Sequence, residues 1–162
     1  MAVTDPLFGS AVRFHLALQW LWPVEGGWYD GSDPRDRHPT NFGITQATYN
    51  DWRDFLRLPW RSVREITKAE ASEIYWHWYW LRPGCHHLTW PLALVHFDAA
   101  VNHGTGHAVR LLGRAKGDWR SYIAARRAFY AEIIRKNPAM KANERGWANR
   151  MTKLERYCEA AA

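Results

Sequence analysis

Between residues 22 and 45 the chain reads WPVEGGWYDGSDPRDRHPTNFGIT, with one glutamate, then Asp30, Asp33 and Asp36, then Thr40, Asn41 and Thr45. Carboxyl groups grouped in this way suit hydrolysis of a glycosidic bond. One acid protonates the leaving oxygen, and a second group activates water or stabilises the oxocarbenium-like state. Glu25 is the candidate acid: it stands at the end of an apolar helical pattern, before Gly26 and Gly27. Helix-end carbonyls and the flanking Trp22 and Trp28 favour an uncharged carboxyl there, the form a proton donor needs. The three aspartates compete for the second role, and Thr40, Asn41 and Thr45 are candidates to orient a water. Each of them is also an ordinary turn former, so the cluster carries the signal rather than any one member. The alternative is a solvated connector.

The elements that must position these residues read as mainly α. Val12, Phe14, Leu18, Leu21 and Trp22 fall largely three or four apart over residues 9–24, one face of a helix that Pro23 and the glycine pair end. Thr45 is placed to cap a helix over TQATYNDWRDFLRL, and Thr67 with Glu70 forms a capping box ahead of TKAEASEIYWHWYW. Pro91 opens PLALVHFDAAVN, which Gly104 closes. HAVRLLGRA, DWRSYIAARRAFYAEIIRK and AMKANERGWANRMTKLERYCEA supply three further helices. No long stretch alternates as a strand, although residues 28–44 have room for a short hairpin. The expectation is a compact, mainly α domain with one irregular loop or short hairpin after its first helix.

The composition fits a chain that buries a core. At 162 residues with 47% apolar side chains and 11 tryptophans, disorder is excluded and one domain, residues 1–162, is expected. The net charge of +6 is uneven: residues 1–104 hold 9 Lys and Arg against 11 Asp and Glu, and residues 105–162 hold 13 against 5. A subdivision near residue 105 follows, with the chemistry in 1–104 and a basic helical part in 105–162 that suits an anionic polymer. Cys85 and Cys158 are too few for a disulfide framework and read as free thiols, with a single bridge between them as the alternative. The first 24 residues carry no basic leader or cleavage site, and no run reaches transmembrane length. A soluble chain made in the cytoplasm, without stable membrane insertion, is expected.

The ordered set VEGGW, DPRD, TNFGIT and QATY resembles the muramidases of glycoside hydrolase family 108, whose pattern runs Glu-Gly-Gly-aromatic, Asp-Pro-x-Asp, Thr-Asn-x-Gly-Ile-Thr. Further on, EASEIYWHWYW, HFDAAVNHG and ERGWANR resemble the later helices of that family and its C-terminal peptidoglycan-binding part. The likeness runs over roughly residues 11–157. It implies a lysozyme-like fold, with the catalytic acid on Glu25, the loop aspartate on Asp36 and the threonine on Thr40. Asp33 competes with Asp36, because the segment between the glycines and Asp33 is long and Arg37-His38 replaces a family Gly-Gly. The resemblance further implies a phage-type endolysin that cleaves the β-1,4 bond between N-acetylmuramic acid and N-acetylglucosamine. Such an enzyme works on the bacterial wall, as a monomer without cofactor. Substrate contacts are then expected from Trp28, Asp33, Asn41, Tyr79, Asn102 and Gly104.

Other readings stay open at this stage. His96, His103 and His107 raise the question of zinc, but Gly104 and Gly106 interrupt the helix that would align them, so no metal site is expected. Arg110, Arg114, Arg120, Arg126, Arg127 and Arg135 raise nucleic acid, yet wall polymers are also anionic, and no nucleic-acid partner is expected. Trp147, Asn149 and Arg150 either touch wall polymer or pair internally. A lytic transglycosylase, or an inactive wall-binding or phage structural protein, are the competing functions.

Overall fold

The computed structural model describes residues 6–32 and 38–161. Helix α1, Pro6–Leu21, begins on a proline, which suits a first helical position because its missing N–H has no partner to lose there. It buries Ala17, Leu18, Trp20 and Leu21 and ends as the amides of Val24 and Glu25 both turn back onto the Leu21 carbonyl.

The hairpin foreseen for residues 28–44 is present but sits late in that stretch. Strand β1, Thr40–Asn41, pairs antiparallel with β2, Ile44–Thr45, and Tyr29 bridges to the outer edge of Thr40. Two residues make the turn, Phe42 at φ 51° and Gly43 at φ 75°. Positive φ at both central positions is the turn whose twist matches a two-residue hairpin. Glycine adopts it freely, whereas Phe42 is held there by its neighbours: its carbonyl accepts from the Tyr75 hydroxyl at 2.8 Å, and its ring meets that of Trp22.

Thr45 then caps α2, Gln46–Phe55, its hydroxyl accepting from the Thr48 amide. The Gln46 side chain spans to the next segment, donating to the Arg61 carbonyl and accepting from the Val63 amide. Helix α3, Lys68–Ile74, opens on the Thr67–Glu70 capping box. Its continuation, Tyr75–Leu81, widens into a π-helix, so the aromatic run YWHWYW leaves the 3.6-residue period; Tyr75 and Trp80 point into the core.

Helix α4, Leu92–His103, is the centre of the molecule: every residue from Leu92 to Ala100 is buried. A helix apolar on all sides belongs inside a protein, and this one is surrounded by neighbours from both ends of the chain. His96 is satisfied within that core, with Nδ1 at 2.8 Å from the Tyr122 hydroxyl and Nε2 at 2.9 Å from the Pro83 carbonyl. Gly104, at φ 81° and ψ 153°, joins α4 to α5, Thr105–Ala115, in a backbone conformation that glycine alone adopts without strain. Helix α6, Trp119–Lys136, is capped by Asp118, and α7, Glu144–Ala160, follows a 3-10 segment, Pro138–Asn143. The mainly α architecture, seven α-helices among the described residues with one small two-stranded sheet, is the one the spacing predicts.

Candidate active site

Glu25 stands where the end of α1 meets the hairpin turn. Its side chain keeps 19% of its surface exposed. A Cβ on Gly43 would lie 2.9 Å from Glu25 Oε2 and 3.1 Å from its Cγ, which measures how closely the turn backs the carboxyl. Tyr75 completes this wall. It is buried, its ring contacts Trp22 at 5.7 Å, and its phenol is pushed well up, first by burial and then by the charge of Glu25.

The other side of Glu25 is occupied by a cation that the local sequence does not announce. Arg150 of α7 places Nη2 at 2.9 Å from Glu25 Oε1 and at 2.9 Å from Asp98 Oδ1. Its Nε lies 3.2 Å from both Asp98 oxygens, so the guanidinium grips Asp98 with two nitrogens and offers one of them to Glu25 as well. The setting of Glu25 therefore differs from the one its sequence neighbours suggest. Trp28 is 42% exposed, with the Arg64 guanidinium 5.6 Å from its ring centroid.

Asp98 is the buried anchor of this arrangement. It is fully buried on α4, accepts from Trp20 Nε1 at 2.9 Å, and has Arg126 Nη1 at 2.8 Å from Oδ2. Burial opposes its charge, but Arg126 and Arg150 outweigh that and hold the carboxyl well below the usual range. Burial likewise opposes the charge of Arg150, but Asp98 and, to a smaller extent, Glu25 outweigh it and hold the guanidinium firmly protonated. Arg126 Nε donates to His103 Nε2 at 3.2 Å, and His103, desolvated and beside this cation, is pushed down to about 3.

The remaining candidates fall in distinct places. Thr40 lies in β1, its backbone exchanging hydrogen bonds with Tyr29 at 2.8 and 3.0 Å. Asn41 is buried and its amide donates to the Arg64 carbonyl at 3.0 Å, tying the hairpin to the segment Val63–Glu65. Tyr79 packs its ring on Tyr75 at 5.6 Å. Asn102 accepts from the Tyr130 hydroxyl, whose ring stacks on Trp147 at 4.6 Å, and Gly104 follows at the α4–α5 joint. Asp33 and Asp36 lie outside the described residues. Asp30 accepts from the Ser32 amide at 2.9 Å in a local turn, and those Ser32 bonds hold its carboxyl low.

Among the described residues, no group of three or more His, Cys, Asp or Glu side chains is placed to hold a metal ion, and no helix is long and apolar enough to cross a membrane. The reading of the N-terminal loop does not include Asp98 and Arg150, which stand 52 positions apart in the sequence and meet beside Glu25. One sequence signal pointed at them: a lone aspartate inside LALVHFDAAV requires a buried cation.

The model of the family described as Glycosyl hydrolase 108 matches residues 18–104, more than half the chain, a segment that holds Glu25, Thr40 and Asp98 and stops short of Arg150. The solved structure of Brucella abortus SagA is similar in fold, with a TM-score of 0.77 and 23% identity, covering 93% of this chain and 95% of that one. A search of curated proteins finds no match.

Proposed function

Because the chain belongs to the glycosyl hydrolase 108 family and is thereby a glycoside hydrolase, we propose that its substrate is bacterial peptidoglycan. The bond cleaved is the β-1,4 linkage between N-acetylmuramic acid and N-acetylglucosamine. Glu25 gives its proton to the glycosidic oxygen as the bond breaks. Asp36, with Thr40, positions water on the opposite face of the sugar and stabilises the cationic ring. The observation that carries this reading is the placement of Glu25, partly exposed yet backed by Gly43 and paired with Arg150. An acid so constrained presents its proton in one direction, which general acid catalysis requires.

The sugar-binding roles assigned to Trp28, Asp33, Asn41, Tyr79, Asn102 and Gly104 belong to the same proposal. Trp28 suits it best, because its exposed ring offers a flat face. The basic part, residues 105–162, serves as an electrostatic guide to the anionic wall and as its peptidoglycan-binding part. Arg126 and Arg150 face inward instead, both paired with Asp98 and Arg150 also with Glu25. The likeness of VEGGW and TNFGIT to phage muramidases supports an endolysin role.

Mass spectrometry of fragments released from purified peptidoglycan tests the reaction. A muramidase releases fragments with a hydrated muramic acid end. Fragments lighter by one water, the anhydro sugars of a lytic transglycosylase, would overturn the reading, as would release of no fragments at all.

A further inference from the structure

Arg150 lies on α7, 46 residues beyond the last position of the family match, and is nonetheless the cation that touches Glu25. A lone guanidinium 2.9 Å from an acid would hold it as the carboxylate and so oppose proton donation. Here the guanidinium also faces Asp98. Arg150 Nε contacts both Asp98 oxygens at 3.2 Å, and Nη2, at 2.9 Å, is divided between Asp98 and Glu25. Asp98 is further balanced by Arg126, so two carboxylates face two guanidinium groups.

We propose that Asp98 and Arg150 are a positioning pair for the reaction. Arg150 fixes the direction of the Glu25 carboxyl through one shared nitrogen, and Asp98 holds the same guanidinium in place and shares its charge. The inference rests on Glu25 being the acid. The charged and titratable groups around the pair are Glu25 after α1, Tyr75 from the π-helix, His103 from α4, Tyr122, Arg126 and Tyr130 from α6, and Cys158 from α7. Because α7 supplies Arg150, the basic C-terminal part does more than bind the wall: it completes the site.

The pair predicts opposite consequences for its two members. Arg150→Gln removes the cation beside Glu25, leaving Asp98 to Arg126. The plateau kcat falls about tenfold with KM near wild type, and the alkaline limb of the rate profile moves up by about one pH unit. Asp98→Asn leaves the whole charge of Arg150 on Glu25, and the alkaline limb moves down by about one pH unit. The experiment is fragment release from peptidoglycan across pH by the full-length variants, with circular dichroism and melting curves to establish the fold. Limbs that stay at the wild-type position in folded variants, or move in the same direction in both, would overturn the pair. Should Asp98→Asn not fold, Arg150→Gln and Arg150→Lys decide. The limb moves up in the first and returns toward wild type in the second, whereas equal limbs in all three proteins would overturn it. Glu25→Gln serves as the control: if that variant keeps its activity, the assignment of Glu25 fails instead.

Discussion

Gly43 leaves Glu25 no space on one side: a single added carbon at residue 43 would come within 2.9 Å of Glu25 Oε2 and 2.5 Å of the Tyr75 hydroxyl oxygen. The turn also holds Gly43 at φ 75°, where an L side chain is strained. Gly43→Ala therefore combines backbone strain with displacement of the acid. We expect a loss of about 1–3 kcal/mol in stability by thermal or urea unfolding. Peptidoglycan turnover well below the melting temperature should fall by at least about tenfold, because a misplaced acid costs rate even in a folded protein. A stable variant with wild-type turnover would show that the turn does not position Glu25.

Thr67 offers a contrast, a residue that serves the fold alone. Its hydroxyl accepts from the Glu70 amide at 3.1 Å, while Glu70 returns a carboxylate oxygen to the Thr67 amide at 2.9 Å. Thr67→Ala should cost about 1 kcal/mol, lowering the melting temperature by about 2–4 °C, with turnover unchanged at temperatures where the protein is folded. Calorimetry beside an activity assay checks both halves.

His103 makes the fold sensitive to acid. Burial and Arg126 push its imidazole down to about 3, whereas in the unfolded chain it titrates near the ordinary value of about 6.5. The folded protein thus binds fewer protons than the unfolded chain. The contribution is complete above about pH 6.5 and is lost as pH falls toward about 3, at a slope of up to about 1.4 kcal/mol per pH unit. Asp98, also held low, extends the loss below the usual carboxylate range. Urea unfolding at about pH 7, 5.5 and 4.5 should show the decline, and His103→Gln should flatten it. An equally steep decline in the variant would assign it to other groups.

The stereochemistry of the reaction is a fourth prediction. With Asp36 acting through a water held beside Thr40, cleavage inverts the anomeric centre, and proton NMR of the first-formed product should show the α anomer. A β anomer at early times would require the second carboxylate to attack the sugar directly.

Local chemistry made the helix ends legible in the sequence. Thr45, Thr67 and Gly104 each act through residues within a few positions, and each occupies the cap or break that its type predicts. Glu25 at the end of α1 was legible for the same reason. The hairpin was foreseen, but its register was not, because the Phe42–Gly43 turn places a bulky residue at positive φ that only Trp22 and Tyr75 make tolerable. The π-helix hid behind a run of aromatics that carries no period. For Arg150 the sequence left two alternatives, wall contact or internal pairing, and could not name the partners, which lie 52 and 125 positions away. The uneven charge was read correctly as a sum, yet part of it neutralises the core.

The most direct measurement is the rate at which Glu25→Gln releases fragments from peptidoglycan, compared with wild type at equal folded concentration. Glutamine keeps the shape of the side chain and its contact with Arg150 but has no proton to give. A fall of at least about a hundredfold, with the melting temperature retained, is the expected result. Fragment release near the wild-type rate would contradict the account, because the reaction would then draw its proton from elsewhere.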